Sequence, residues 1–321
     1  MIKYYPVLRG KQYELIALRE LADFFQSSPC SIHPVIEPVR SRTSSRLRTT
    51  SVALSQSGIE HSIIFNPHVG DFQDDTQIGK YPVVEQLAES EINFGAILSS
   101  TEAIPSTLSD YRTSLESSGS TLLLFERELG NSRELEAFIE ESDNVALLLP
   151  PAVSAGRYRR FNRTATAVLL NDNFRPRSRN LDYVTDGPEL FTSSHLYAEL
   201  DGYEGVADYL TVGEGFNEGG FLPRVVAIHW TYLNSNGEVW IRHFTSGESS
   251  RAGDVPGKFL IAASKLVESL SDVDDNNPAA SAMRDLVASS KFPGLGTVKK
   301  ISMLNHMIVM NSAIAHAEEA N

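Results

Sequence analysis

Near its beginning the sequence reads YYPVLRGKQYE (residues 4–14), an apolar run followed by an Arg-Gly-Lys turn. The apolar run at residues 4–8 is typical of a short strand that is buried on both faces. The turn at residues 9–11 leads into a helix predicted to end near residue 25, because apolar residues recur along one face of it. In parallel α/β folds, ligands bind where strands end and helices begin. The stretch therefore predicts a strand–helix repeat with a ligand-binding edge.

The chain has 321 residues, enough for one large α/β barrel or for two modest domains. Its hydrophobic fraction of 41% and charged fraction of 21% are typical of a soluble globular protein. No apolar run approaches the roughly 20 residues that cross a bilayer, and Arg9 and Lys11 interrupt any signal-peptide core. Cys30 is the only cysteine, which excludes an internal disulfide and a cysteine-based zinc site. We expect a cytoplasmic protein with no membrane partner.

Seven apolar runs recur along the first two thirds of the chain, separated by helical patterns. They lie at residues 4–8, 34–36, 62–65, 94–98, 121–125, 145–149 and 167–170. Each run is continuously apolar, as expected for parallel strands covered by helices on one side and a core on the other. One of the intervening helices is predicted to begin with a capping box at residues 131–134.

The regular strand–helix spacing and the chain length favour a (β/α)8, TIM-barrel-like α/β fold. The alternative is an open doubly wound sheet, but no Gly-x-Gly-x-x-Gly follows the first strand, which disfavours its dinucleotide-binding form. An eighth strand is available at residues 209–212 or 225–229, and the pattern does not choose between them.

The pattern changes after about residue 180. A glycine-rich loop near residues 213–220 precedes a predicted β-hairpin whose turn is Asn-Ser-Asn-Gly at 234–237. Helical patterns follow at residues 256–270, 278–289 and 298–317. We predict one integrated domain, with a barrel core at 1–212, a loop and hairpin at 213–250, and C-terminal helices at 251–321.

Several stretches resemble the Beta-protein family of bacterial and phage proteins. The similar stretches are residues 8–21, 34–38, 208–216, 227–232, 242–244 and 294–306. The similarity spans most of the chain, which favours a single domain. It implies no particular activity or catalytic residues, but it implies a role on mobile elements or in phage defence, with a protein partner from a defence operon.

Residues that follow the predicted strands are candidates for a site, because strand ends converge on one face of a barrel. They are Arg9, Lys11, Glu37, Asn66, Ser99, Ser100, Glu126, Asn171 and Asp172, to which Glu214 or His229 could be added. Carboxylates at separate strand ends can hold Mg²⁺ or Mn²⁺, or act as acid and base, which gives Glu37, Glu126 and Asp172 both roles. Arg9, Lys11, Asn66, Arg40 and His229 are the predicted substrate-binding residues. The structural alternative is that these residues serve as caps, turn bonds and surface.

The formal net charge of −13 argues against non-specific binding to nucleic acid, but the charge is uneven. Residues 157–179 hold seven arginines and a single acid, and arginines also follow the second strand at 40, 42, 46 and 48. Loops after strands lie at the active-site face, so a basic mouth would attract an anionic substrate such as a nucleotide, a phosphosugar or a nucleic-acid end. The alternative is an uneven, solvated surface.

Two histidines, His229 and His243, lie on the facing strands of the predicted hairpin. Three roles are open for them: a metal-binding pair, an acid–base pair, or packing against the neighbouring aromatic residues. The sequence has no Gly-x-Ser-x-Gly, His-Glu-x-x-His or Walker motif. The Arg9-Gly10 pair resembles the His-Arg-Gly start of barrel phosphodiesterases, although Leu8 stands in place of the histidine.

Two functions therefore follow as hypotheses. The first is a barrel enzyme acting on an anionic, phosphate-bearing ligand, with metal-assisted phosphoester hydrolysis as its reaction. The second is a non-catalytic sensor or partner-binding subunit of a defence system.

Overall fold

A computed structural model of the protein describes residues 2–26, 29–40, 44–73, 92–114, 120–216, 223–247, 253–270 and 276–320. The strands are β1 (Lys3–Leu8), β2 (Val35–Ile36), β3 (Ser62–Ile64), β4 (Asn93–Leu98), β5 (Thr121–Phe125), β6 (Val145–Leu149), β7 (Thr166–Leu170), β8 (Glu189–Thr192), β9 (Gly205–Asp208), β10 (Ala227–Leu233) and β11 (Val239–Thr245). The helices are α1 (Gln12–Phe25), α2 (Ser44–Gln56), α3 (Ile104–Ser114), α4 (Arg133–Glu141), α5 (Gly156–Arg159), α6 (Ser194–Tyr197), α7 (Val255–Ser269), α8 (Pro278–Ala288) and α9 (Leu295–Ala320).

Eight parallel strands close into a barrel in the order β1-β2-β3-β4-β5-β6-β7-β9. The circle is completed where β1 pairs with β9, for example Tyr4 with Val206. Helices surround this barrel, so the (β/α)8 fold predicted from the strand spacing is confirmed and the open doubly wound sheet is excluded.

The barrel interior is packed by alternate residues of its strands, since successive side chains on a strand point to opposite faces. The interior cluster consists of Tyr5, Val7, Val35, Ile64, Ile97, Leu122, Leu124, Leu148, Val168, Leu170, Ala207 and Tyr209. The outward-facing residues pack against the helices in a second, larger cluster. This alternation decides which side chains reach the carboxyl end of the barrel.

The eighth barrel strand is Gly205–Asp208, so both positions predicted for it are wrong. Residues 210–212 form a 3-10 turn, entered at Leu210 with a backbone φ of 54°. The other candidate, 225–229, leads into β10 of a separate sheet. At Gly205, a side chain would stand 2.8 Å from the Tyr5 ring and 3.0 Å from the Lys3 carbonyl, so the close pairing of β9 with β1 requires glycine.

A second, antiparallel sheet has the strand order β10-β11-β8, and its β10–β11 hairpin is the one predicted from the Asn-Gly turn. The long helix α9 packs between this hairpin and the barrel, where it contacts α1, β10 and β1. Lys300 of α9 also pairs with Glu20 of α1 at 2.5 Å.

A buried polar network joins these parts. Asp208, at the end of β9, accepts a hydrogen bond from the Tyr4 hydroxyl at 2.7 Å and lies 3.3 Å from His306 Nε2 on α9. The other ring nitrogen of His306 is 3.2 Å from the hydroxyl of Thr231 on β10. Burial and the neighbouring Asp208 raise the pKa of Tyr4. The network thus fixes α9 and the hairpin against the barrel.

The N-cap of helix α4 lies one residue later than the sequence predicts. Ser132, rather than Asn131, is the N-cap, and its hydroxyl oxygen accepts from the Leu135 N–H at 3.3 Å. No helix in the part of the chain that the structure describes is long and apolar enough to cross a membrane.

Candidate functional site at the barrel mouth

The inward alternation of the barrel strands continues for one more position beyond several strand ends. In six of the strands, the last interior residue is followed two positions later by a polar side chain at the carboxyl end, or mouth, of the barrel. These side chains are Arg9 after Val7, Glu37 after Val35, Asn66 after Ile64, Glu126 after Leu124, Asp172 after Leu170 and Tyr209 after Ala207. Sequence reasoning had selected five of the six, because each directly follows or nearly follows a strand.

Glu37 is a buried carboxylate that binds two other residues of the mouth. Its side chain is only 1% exposed, and one carboxylate oxygen pairs with the Arg9 guanidinium. The other oxygen accepts the backbone N–H of His68 at 2.8 Å. One buried carboxylate therefore holds the cation that follows β1 and the backbone of a histidine in the loop after β3 in fixed positions.

Arg9 has further contacts that orient its guanidinium. Its Nη2 donates to the Glu214 carbonyl at 2.6 Å, and the guanidinium carbon lies 5.4 Å from the centre of the Tyr209 ring. Its Nε is buried and has no acceptor among the described residues. Because a guanidinium has five N–H donors, Arg9 keeps donors for a ligand after these bonds.

His68 and Glu126 form a pair across the mouth, with His68 Nδ1 3.6 Å from a Glu126 oxygen. The interaction with His68 is the main reason that the pKa of Glu126 lies below its ordinary value, with smaller contributions from Arg127 and Arg9. Sequence reasoning missed His68, since it stands four residues beyond β3 and its link to Glu37 spans 31 positions. The only signal was its place in the Asn-Pro-His run after a strand.

Asp172 lies on the β9 side of the mouth. Its carboxylate accepts the N–H of Glu214 at 2.9 Å and that of Phe174 at 3.3 Å. Partial shielding from water raises the pKa of Asp172, although the residue is exposed. The same effect raises the pKa of Glu214, with neighbouring Asp172 and Glu126 adding to it. The mouth therefore holds carboxyl groups whose pKa values are shifted in opposite directions.

Three predicted substrate-binding residues make local contacts. The Lys11 ammonium lies 4.3 Å from the centre of the Phe216 ring. The Asn66 side-chain amide bonds both the N–H and the carbonyl of Ile97, at 2.8 and 2.9 Å, and so extends the pairing of β3 with β4. Arg40 pairs with Asp71 at 2.8 Å. The contacts of Asn66 and Arg40 are those of structural residues.

His229 lies beside the mouth rather than in it. Its ring packs against Phe174 and Tyr183, and its Nδ1 is 2.8 Å from Nδ1 of His243. His243 Nε2 is in turn 3.1 Å from a Glu189 oxygen. Burial, together with His243 and Lys299, lowers the pKa of His229 to about 3. The surroundings are those of aromatic packing, one of the alternatives that the sequence left open.

Most arginines predicted to form a basic mouth are paired with acids. Their partners are Glu128 for Arg157, Glu204 for Arg159, Glu136 for Arg160, Glu189 for Arg175, Asp186 for Arg177 and Asp182 for Arg179. Arg42 lies outside the described residues. These pairs offset the positive charge of the loops, so they lend no support to a basic mouth.

The metal set predicted from the sequence was Glu37, Glu126 and Asp172. Among the described residues, no three His, Cys, Asp or Glu side chains are grouped so that they could hold a metal ion. Glu37 is occupied by Arg9 and His68, and Asp172 by two backbone N–H groups. The donors present therefore do not fit a Mg²⁺ or Mn²⁺ site.

Comparison with known proteins gives no family for this chain. No protein-family model matches it, and no curated protein matches it. The resemblance to the Beta-protein family stays a prediction from the sequence.

Proposed function

We propose that the barrel mouth is a hydrolytic site for a small ester with an anionic group, and that it works by acid–base catalysis. The observation that carries this proposal is the buried Glu37, which holds Arg9 and His68 side by side. Arg9 thereby supplies a cation that binds the ligand, and His68 supplies a base that takes a proton from water, at adjacent points of the same face.

His68 serves as the general base. A carboxylate at Nδ1 favours the tautomer with its proton on that nitrogen, in which Nε2 carries the basic lone pair. Glu126 is in the position to select that tautomer and to stabilise the imidazolium that forms. His68 is 36% exposed, so water reaches it.

Asp172 serves as the general acid. Its raised pKa keeps a proton on the carboxyl to a higher pH than is usual for aspartate, whereas the lowered pKa of Glu126 keeps that group ionised. When the surroundings raise the pKa of one carboxyl group and lower that of another, the first group can act as the acid while the second stays ionised in the same site. Glu214, whose pKa is also raised, stands beside Asp172.

In the proposed reaction, Arg9 binds the anionic oxygen of the ester through its remaining N–H donors. Water attacks the central atom and gives a proton to His68, while the bond to the leaving oxygen breaks and that oxygen takes the proton of Asp172. A phosphate ester is the substrate class that the sequence suggested. The phage-defence or mobile-element setting belongs to the same set of proposals and rests on the sequence resemblance alone.

The test is a panel of chromogenic p-nitrophenyl substrates, each with and without Mg²⁺ or Mn²⁺. Three are esters, namely the phosphomonoester, the phosphodiester and the acetate, and the fourth is a glucoside, which is an acetal. We expect turnover of at least one phosphate ester. On the matching methyl phosphate ester, whose alkoxide leaving group needs a proton, Asp172→Asn should lower kcat by a factor of about 10²–10⁴, the range for loss of one acid or base. The exposed Asp201 provides a matched control, and Asp201→Asn should leave kcat unchanged.

Turnover of the methyl ester that is equal in Asp172→Asn and wild type would contradict the proposed acid. Turnover that appears only with a metal would contradict the acid–base route. If no ester is turned over and none raises the melting temperature, the result favours the alternative of a non-catalytic sensor or partner-binding subunit.

A further inference from the structure

A second cavity lies far from the mouth, between the outer face of the hairpin, the end of α1 and the second half of α9. Its volume is about 650 Å³, within the range of small-molecule pockets. Alternation along the paired strands puts Trp230, Tyr232, Arg242 and Phe244 on one face of the hairpin, where Trp230 stands directly opposite Arg242. The end of α1 adds Phe25 to the wall. The cavity wall thus combines aromatic, aliphatic and amide side chains, with one cation at its edge.

Arg242 is the charged group of this cavity. Within the part of the chain that the structure describes, no carboxylate pairs with its guanidinium, which lies 5.3 Å from the centre of the Phe244 ring. The described loop arginines near the mouth mostly have an acidic partner, so an arginine held over an aromatic ring without one is distinctive. The ring contact holds the guanidinium at the cavity edge.

Trp230 supplies a second donor. Only 3% of the residue is exposed, and its indole N–H makes no hydrogen bond to another described residue. Because Trp230 lines the cavity and an indole nitrogen can only donate, this N–H is a candidate donor to a ligand. The neighbouring amides are already engaged elsewhere, because Asn277 caps α8 and bonds Asn305, and Asn311 accepts from the Ser31 N–H.

We propose that this cavity is a binding site for a small amphipathic molecule with an apolar, preferably aromatic, body and a single anionic group. The aromatic walls take the body, Arg242 pairs with the anion, and the Trp230 N–H donates to one of its oxygens. The site shares no residue with the mouth, so its occupancy does not depend on the proposed hydrolysis.

The chain carries a reporter for this site, because it has only two tryptophans, Trp230 and Trp240. In Trp240→Phe, the remaining tryptophan fluorescence comes from the cavity wall. The probes are 4-phenylbutyrate, its neutral counterpart 4-phenylbutanamide, and decanoate, which has the same charge on an alkyl body. Binding is measured as a saturable change in fluorescence and needs no turnover, so it is independent of any catalytic result.

We expect 4-phenylbutyrate to bind at least tenfold more tightly than 4-phenylbutanamide. Arg242→Gln in the same background should weaken the acid at least tenfold and leave the amide unchanged. Arg242 is exposed, so its replacement should leave the melting temperature unaltered, and exposed Arg133→Gln is the matched control. If decanoate binds more tightly than 4-phenylbutyrate, the cavity is still a binding site for an amphipathic anion, and its preferred ligands are alkyl acids. Absence of saturable binding, equal binding of acid and amide, or full binding by Arg242→Gln would overturn the proposal.

Discussion

A single buried carboxylate can decide the positions of several other groups. Asp208 accepts from the Tyr4 hydroxyl and from the Leu210 N–H, and its second oxygen faces His306. Removing one hydrogen bond to a buried charged group costs about 1.5–3 kcal/mol. We expect Tyr4→Phe to lower the free energy of unfolding by that amount in urea titrations.

The control for Tyr4→Phe is Tyr197→Phe, because Tyr197 is 56% exposed. Its free energy of unfolding should stay within about 0.5 kcal/mol of wild type. Equal effects of the two substitutions would show that the Tyr4 bond to Asp208 contributes nothing.

Buried histidines make stability depend on pH. Burial lowers the pKa of His61 to about 4 in the folded protein, against about 6.5 in an unfolded chain. Between these pH values the unfolded chain binds more protons, so acid favours unfolding. We expect the free energy of unfolding to fall as the pH drops from about 6.5 to about 4, with up to about 1.4 kcal/mol per pH unit from His61.

In His61→Gln, the free energy of unfolding should fall less steeply with decreasing pH than in wild type, by up to about 1.4 kcal/mol per pH unit. The slope is diagnostic, because the lost bond to Ser51 also lowers stability at neutral pH. Exposed His316→Gln should leave the slope as it is in wild type. A slope that is identical in all three proteins would contradict the assignment to His61.

At the scale of single elements, helix α4 depends on its cap. The Ser132 hydroxyl accepts the Leu135 N–H, one of the N–H groups that a helix start leaves unpaired. Ser132→Ala should therefore cost about 1 kcal/mol in urea unfolding. Ser55→Ala, at an exposed position within α2, should change stability by less than about 0.5 kcal/mol. A cost below that limit for Ser132→Ala would rule out the cap.

The barrel strands also show where the sequence could predict structure and where it could not. Continuous apolar runs marked seven of the strands, because both faces of a barrel strand are buried. The eighth, Gly205–Asp208, is short and ends in a buried acid whose partners, Tyr4 and His306, are distant in sequence. The residues after it are more apolar, and they form the 3-10 turn instead.

The residues of the candidate site also divide into those that the sequence could predict and those that it could not. Arg9, Glu37, Glu126 and Asp172 follow strands and continue the inward alternation, so position alone predicted them. His68 could not be predicted, since it is placed by Glu37 and faces Glu126 across the barrel. The pairing of the loop arginines with acids was also hidden, because most of those acids lie on other loops and helices.

At the scale of the whole molecule, the protein has two separate candidate sites. Helix α1 begins beside Arg9 at the mouth, and its last residues, Phe24 and Phe25, line the second cavity. A helix of 14 residues is about 20 Å long, which is the order of the separation between the two sites. Helix α9 runs along the same path and holds the hairpin to the barrel through His306. The fold therefore keeps the acid–base residues and the aromatic cavity apart while one helix supports both.

The central claim is that His68 acts as a base at the mouth of the barrel. The most direct measurement is kcat/KM of wild type, His68→Asn and exposed His316→Asn on the p-nitrophenyl phosphate ester that wild type hydrolyses fastest. The account predicts a loss of at least about 100-fold in His68→Asn, with an unchanged melting temperature, and no loss in His316→Asn. A rate in His68→Asn within about threefold of wild type would contradict it.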